Sequence, residues 1–249
     1  MNYHWNWGVF WELSPDGAHT YFQTLLLGTG WTLATAAGAW IIALVFGSLI
    51  GVLRTTPFAW AARLGNAYVE LFRNIPLLVQ MFLWYFVLPE LVPSSLGIWL
   101  KQLPNASFYT AVVALGLYMS ARVAEQVRAG ILSLPRGQRQ AGLALGLSLP
   151  QTYAYVLLPM TYRILLPPLT SELLNTIKNS AVALTIGLME LTARARAMQE
   201  FSFQVFEAFT AATIIYIVIN IIVTFGMRLI ERRVAVPGYL GFKTQVAGH

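Results

Sequence analysis

The sequence predicts an all-α polytopic membrane protein with five transmembrane helices, and three observations carry that expectation. Hydrophobic residues make up 57% of the chain and charged residues only 10%, where a soluble domain carries about 25% charged. Uncharged apolar stretches recur at the length of a helix through hydrocarbon, about 20 residues. Arginines and lysines gather in alternate connecting segments, which points to an odd number of crossings. The whole chain, 1–249, reads as one membrane domain with no soluble module.

Residues 1–30 form an outer-face segment leading into the first span. Met1 to Asp16 holds neither Lys nor Arg and no compact apolar core, so it does not read as a signal peptide. Trp5, Trp7 and Trp11 suit an interfacial anchor, where amphipathic rings sit among headgroups, or a small N-terminal cap. The first span is placed at 31–53, uncharged throughout. The second, at 72–90, contains the short uncharged run Asn74 to Pro89 and needs the preceding turn to reach across. The third, at 108–130, starts where the chain becomes apolar at Phe108. The fourth, at 164–188, reads poorly by hydropathy because Glu172 and Lys178 interrupt it; charge bias in the flanking loops requires a crossing there. The fifth, at 206–229, is rich in Ile and Val.

Orientation follows from the basic residues. Arg54, Arg63 and Arg73 follow the first span, and Arg128, Arg136, Arg139 and Arg163 follow the third. Arg228, Arg232, Arg233 and Lys243 lie at the C-terminal end. The opposite side keeps only Lys101, Arg194 and Arg196. The positive-inside rule therefore puts the N-terminus outside and the tail, 230–249, in the cytoplasm. Four spans would return the tail to the side of the charge-free N-terminus. The net charge of +6 is then a property of a cytoplasmic membrane face, with the bilayer rather than nucleic acid as its partner. The absence of cysteine excludes disulfides and thiolate metal sites. His4, His19 and His249 all fall outside the spans, which argues against haem chemistry in the bilayer. No phosphate-cradling Gly-x-x-x-x-Gly-Lys-Ser/Thr is present, so the chain does not hydrolyse ATP alone.

The loop at 131–163 is the most informative segment. Pro135 suits a helix start, residues 136–145 are compatible with one short helix, and Gly146 can supply its left-handed cap. Ser148 followed by Pro150 can open a second helix, and Pro159 marks the start of the fourth span. Two short helices broken at a glycine make a rigid protruding elbow. The plain alternative is an amphipathic connector lying on lipid.

Gln140-Ala141-Gly142, three residues, Gly146, nine residues, Val156, one residue and Leu158-Pro159 resemble the cytoplasmic Glu-Ala-Ala motif of ABC importer permeases, with matching spacing. Three positions depart: Gln140 for Glu, Gly142 for Ala and Val156 for Ile. The first departure removes the carboxylate of the family motif, leaving an amide that can still hydrogen-bond. Glu70-Leu-Phe-Arg73-Asn74-Ile-Pro76, Ala121-Arg122-Val-Ala-Glu125-Gln126 and Asn175-Thr-Ile-Lys178-Asn179-Ser180 look like the polar amino acid branch. With the opening Trp-Asn-Trp-Gly and Glu231-Arg232-Arg233, nearly the whole chain is similar to permease subunits of bacterial glutamate/aspartate importers. The resemblance implies the type I importer permease fold in the bacterial inner membrane and no cofactor on this chain. It further implies a second permease subunit (a paralogue or an identical copy), two ATPase subunits holding ATP and magnesium, and a periplasmic substrate-binding protein. Arg139, Gln140, Ala141, Gly142, Gly146, Leu147, Ser148, Val156, Leu158 and Pro159 would then couple the chain to the ATPase. An ion-coupled amino acid carrier and a non-transporting anchor subunit are the competing functions.

For substrate, Lys178 stands out. A lysine at the centre of a lipid-facing helix costs about 2.5–3.5 kcal/mol, so it should face a polar interior. Asn175, Lys178 and Asn179 share a face at helical spacing, with Thr176 beside them and Glu172 as ion partner or counterweight. A cationic wall suits an anionic amino acid; a structural pair with Glu172 or a contact between subunits is the other reading. Glu125 can pair with Arg122 or Arg128 on its own helix, at a gate or as local stabilisation. Gln80 is a pathway candidate or an interhelical hydrogen-bond donor.

Overall fold

The computed structural model describes residues 3–234, and all regular structure among them is helical. A 3-10 turn, Trp7–Trp11, precedes α1 (Tyr21–Leu53), α2 (Ala59–Asn74), α3 (Leu77–Phe82), α4 (Leu88–Leu91) and α5 (Ser94–Gln102). Then follow α6 (Ala106–Ser133), α7 (Arg136–Ala144), α8 (Leu149–Thr152), α9 (Leu158–Asn179), α10 (Leu191–Ser202) and α11 (Val205–Val234). Residues beyond 234, including Lys243 and most of the expected tail, lie outside the described residues.

α1, α6 and α11 are long and apolar enough to cross a membrane, and α2 with Leu77–Leu91 forms a further broken candidate bent by 99°. α1 begins well ahead of residue 31 because Thr20 and Gln23 close a capping box. The Gln23 N–H reaches Thr20 Oγ1 at 3.3 Å, and the Thr20 N–H reaches Gln23 Oε1 at 2.9 Å. α9 carries Pro167 and Pro168 in its interior and is less apolar than these three helices, as Glu172 and Lys178 foretold.

Close packing fixes the relative directions. α1 and α6 run parallel, with Gly38 facing Val112, Gly47 facing Val123 and Gly51 facing Val127. A Cβ on Gly47 would lie 2.6 Å from Val123 Cβ and 2.8 Å from Ser120 O, so this approach requires glycine. α9 runs the other way: Tyr162 hydrogen-bonds Ser48 towards one end of α1, and Ile177 meets Ala36 farther back. α11 runs with α1 again, Tyr216 lying beside Thr32 and Ile219 on Ala36. Met81, Leu115, Met119, Val123 and Leu165 fill the core between these helices. Outside it, Ile41, Val45, Ile222 and Phe225 are all more than half exposed. That much outward apolar surface needs lipid or protein cover.

Two π turns explain how prolines are accommodated. Leu83–Val87 joins α3 to α4 and Tyr153–Leu157 joins α8 to α9, each ending two residues before a proline, Pro89 and Pro159. Leu88 N–H reaches back five residues to Leu83 O, and Leu158 N–H does the same to Tyr153 O. The widened turn opens room for a ring that would otherwise press on the carbonyl four residues back.

At one end, a cap gathers the chain. Tyr3 and the Asn6 N–H donate to the Glu207 carboxylate on the first turn of α11, and Val9 is buried with Leu25, Leu191 and Met198. The N-terminal tryptophans thus belong to a folded cap, although Trp5, Trp7 and Trp11 remain at least half exposed on its surface.

Candidate functional site

The elbow is built from local signals. α7 ends in a paired closure, Leu147 N–H to Gly142 O at 3.2 Å and Gly146 N–H to Leu143 O at 3.0 Å, with Gly146 at φ +83°. This is the Schellman arrangement that a left-handed glycine permits. Ser148 opens α8 through a reciprocal box with Gln151, the Ser148 N–H meeting Gln151 Oε1 at 2.8 Å. Gly142 is buried against α8, where a Cβ would lie 2.9 Å from Thr152 Cγ2. Glycine at 142 therefore lets the two short helices approach closely. Tyr153 OH donates to Thr55 O at 2.8 Å, tying the elbow to the end of α1.

Gln140, Ala141, Ser148 and Pro159 are exposed; Arg139, Leu147, Val156 and Leu158 are half-buried. Arg139 and Gln140 line a cleft of about 520 Å³ with Thr55, Leu143 and Tyr153. The sequence reading missed the apolar tips. Leu145 is 83% exposed and Tyr155 71%, and their signal was large apolar residues on either side of Gly146 in a polar loop.

On α9 the structure separates residues that spacing had grouped. Asn175 and Asn179 are half-buried and Lys178 is exposed, with no ion-pair partner among the described residues. Thr176 is fully buried and its hydroxyl donates to its own helix, Glu172 O at 2.8 Å. Glu172 faces the bundle, 6% exposed, and pairs with Arg122 of α6 through Nε at 2.7 Å and Nη2 at 3.2 Å. Of the two readings of Glu172, the Lys178 pair does not form: six residues of helix set the two side chains about 120° apart, and the Arg122 fork on the neighbouring helix meets the carboxylate instead.

Glu125 keeps one expected local partner and gains tertiary ones. Its carboxylate receives Arg54 at 3.1 Å and Arg73 at 3.0 Å, with Arg128 at 4.0 Å, and does not pair with Arg122. Gln80 is 2% exposed and donates to Phe72 O and Ile75 O at 2.8 and 2.9 Å. It thereby caps carbonyls freed where α2 ends at Ile75-Pro76.

A buried acid that the sequence did not single out holds the opposite end. Glu190 caps α10 through the Ala193 and Thr192 N–H groups, at 2.8 and 3.0 Å, and accepts from Thr32 and Tyr216. This joins α1, α10 and α11 just after the 3-10 turn Ser180–Ile186 that follows Lys178.

Residues 22–236 match the model of the family described as binding-protein-dependent transport system inner membrane component. The chain is 49% identical over 246 residues to the glutamate/aspartate import permease protein GltJ of Escherichia coli strain K12, covering 98% of this chain and 100% of that one. It is 31% identical to the glutamine transport system permease protein GlnP of the same strain, over 93% and 98% of the two chains. Among solved structures, an amino acid ABC transporter with histidines aligns at a TM-score of 0.71 and 29% identity, over 86% of this chain and 95% of that one. The MetNI methionine ABC transporter in an inward-facing form shares the fold, at a TM-score of 0.72 and 21% identity, over 90% and 100% of the two chains.

Proposed function

The chain belongs to the binding-protein-dependent transport system inner membrane components, and from that membership we propose that it carries glutamate or aspartate across the inner membrane as half of a permease pair. It is an amino acid importer permease with the type I fold, and ATP hydrolysis in this family resides on a separate subunit. One observation carries the cargo reading: Lys178 is left without a counter-charge. Because Arg122 neutralises Glu172, the exposed Lys178, flanked by half-buried Asn175 and Asn179, presents a net positive charge, which complements an acidic side chain. The relative named for glutamate/aspartate import supports the same cargo.

The proposed topology has five crossings, by α1, α3–α4, α6, α9 and α11, with the N-terminus outside. Parallel α1 and α6 require a return crossing between them, and antiparallel α9 followed by α11 completes an odd count. The elbow then projects into the cytoplasm beside the ends of α1 and α6. Its exposed Leu145 and Tyr155 suit a groove on an ATPase, which holds ATP and magnesium. Two permeases, two ATPases and a periplasmic binding protein would complete the importer, since five helices enclose no pathway alone.

Copurification tests the elbow reading. An ATPase and a second permease should accompany the tagged chain, and Gly146→Asp should lose the ATPase. Full retention by that variant would remove the elbow from the interface.

A further inference from the structure

α2 divides into three faces that helical geometry sets about 120° apart. Ala61, Gly65 and Val69 are buried against α1 and α6, Gly65 so closely that a Cβ would lie 2.6 Å from Arg54 Cγ. Trp60, Leu64 and Leu71 form an exposed apolar stripe, 68%, 59% and 56% accessible. Arg63, Asn66, Glu70 and Arg73 make a third, polar face. Asn66 and Arg73 on its inner edge are held by Arg54 and Glu125, whereas Arg63 is exposed and makes no ion pair among the described residues.

The depth of α2 follows from that same cluster. Arg54, Arg73 and Arg128 converge on Glu125 where α1 ends and α6 continues towards the elbow. So many charges do not sit in hydrocarbon, so the cluster marks the cytoplasmic edge of the bilayer. α2 reaches this level through Asn66 and Arg73 and meets Leu77–Leu91 at 99°. If that segment crosses, α2 lies in the plane of the surface.

From these relations we infer that α2 is an interfacial helix that binds the anionic lipids of the cytoplasmic leaflet. Trp60, Leu64 and Leu71 enter the boundary between headgroups and acyl chains, and Arg63 meets phosphate. Composition separates this from a helix–helix contact. The α1–α6 seam uses glycines to bring backbones together, as interfaces within membranes do, whereas the stripe on α2 offers Trp and Leu. The inference rests on the permease reading for its membrane.

The chain contains no cysteine, so spin labels can be placed one at a time in the assembled importer with cysteine-free partner subunits. Nanodiscs of phosphatidylethanolamine and phosphatidylglycerol supply the membrane. Labels at Leu64→Cys and Leu71→Cys are expected to be relaxed more by oxygen than by a water-soluble nickel chelate, with the order reversed at Glu70→Cys. Shielding of Leu64→Cys and Leu71→Cys from both reagents would mean a protein cover, and nickel access would mean water; either overturns the inference. Ile41→Cys, on the outward face of α1, separates the two readings. Oxygen access there without it on α2 defeats the interfacial helix alone, and nickel access at both defeats the permease reading. Arg63→Gln should lower the phosphatidylglycerol retained through detergent extraction by up to about fivefold, the weight of one basic side chain at an anionic leaflet. Unchanged retention overturns the anionic-lipid assignment.

Discussion

Arg122 and Lys178 are two cations with opposite assignments. Arg122 saturates a buried carboxylate, and Lys178, exposed and without an ion-pair partner among the described residues, carries the proposed cargo contact. Lys178→Ala is expected to abolish uptake of acidic amino acids while the complex still assembles, read by labelled-substrate uptake beside copurification; unaltered uptake would end the assignment. Arg122→Ala should act differently, by stranding the Glu172 carboxylate at 6% exposure. A cost of about 2 kcal/mol is expected, seen as a lower unfolding temperature in detergent, and Arg122→Ala/Glu172→Gln should restore much of it. The sequence showed Glu172 and Lys178 as charges that had to be satisfied, because an isolated charge in an apolar run is conspicuous. It could not show that Arg122, fifty positions earlier, was the answer. Pairing across helices depends on where two helices cross, and Lys178 was only the nearest basic residue in the same span.

At the level of elements, the elbow was legible because every signal in it is local. Pro135, Gly146, Ser148 and Pro159 each act within a few residues, and each does what its backbone chemistry requires. Ser148→Ala should cost about 1 kcal/mol through loss of the N-cap, measurable by hydrogen exchange as faster exchange confined to α8. Gly146→Ala places a Cβ in the left-handed region, at about 1–2 kcal/mol, and should weaken ATPase retention less than Gly146→Asp does. The bend after α2 was only half legible. Pro76 fixes a break, but the second span was expected to begin at 72 and run straight through it. The Gln80 amide bonded to Phe72 O and Ile75 O shows why the chain turns sharply instead: a buried side chain satisfies the carbonyls that the turn exposes.

On the scale of the whole molecule, the chain is organised as an incomplete object. Large apolar residues face outward on α1 and α11, and an uncompensated lysine face lies on α9. A second permease should therefore be found in the purified complex, and mass determination of the intact assembly would show whether it is a paralogue or the same chain. Charge bias alone asks for a crossing at α9, where hydropathy fails. The close contact between α1 and α6 was not legible, because glycines such as Gly47 and Gly51 carry no sign of which surface they will meet.

That glycine seam has a mechanical consequence. With Gly47 and Gly51 pressed onto Val123 and Val127, α1 and α6 have no side-chain cushion along which to slide. They behave as one beam, with α6 alone about 42 Å long at about 1.5 Å per residue. A tilt of about 5° imposed at the elbow becomes a sweep of about 4 Å at the far end. Force applied by a partner on one side of the membrane thus arrives as displacement on the other, without any residue between them changing its neighbours.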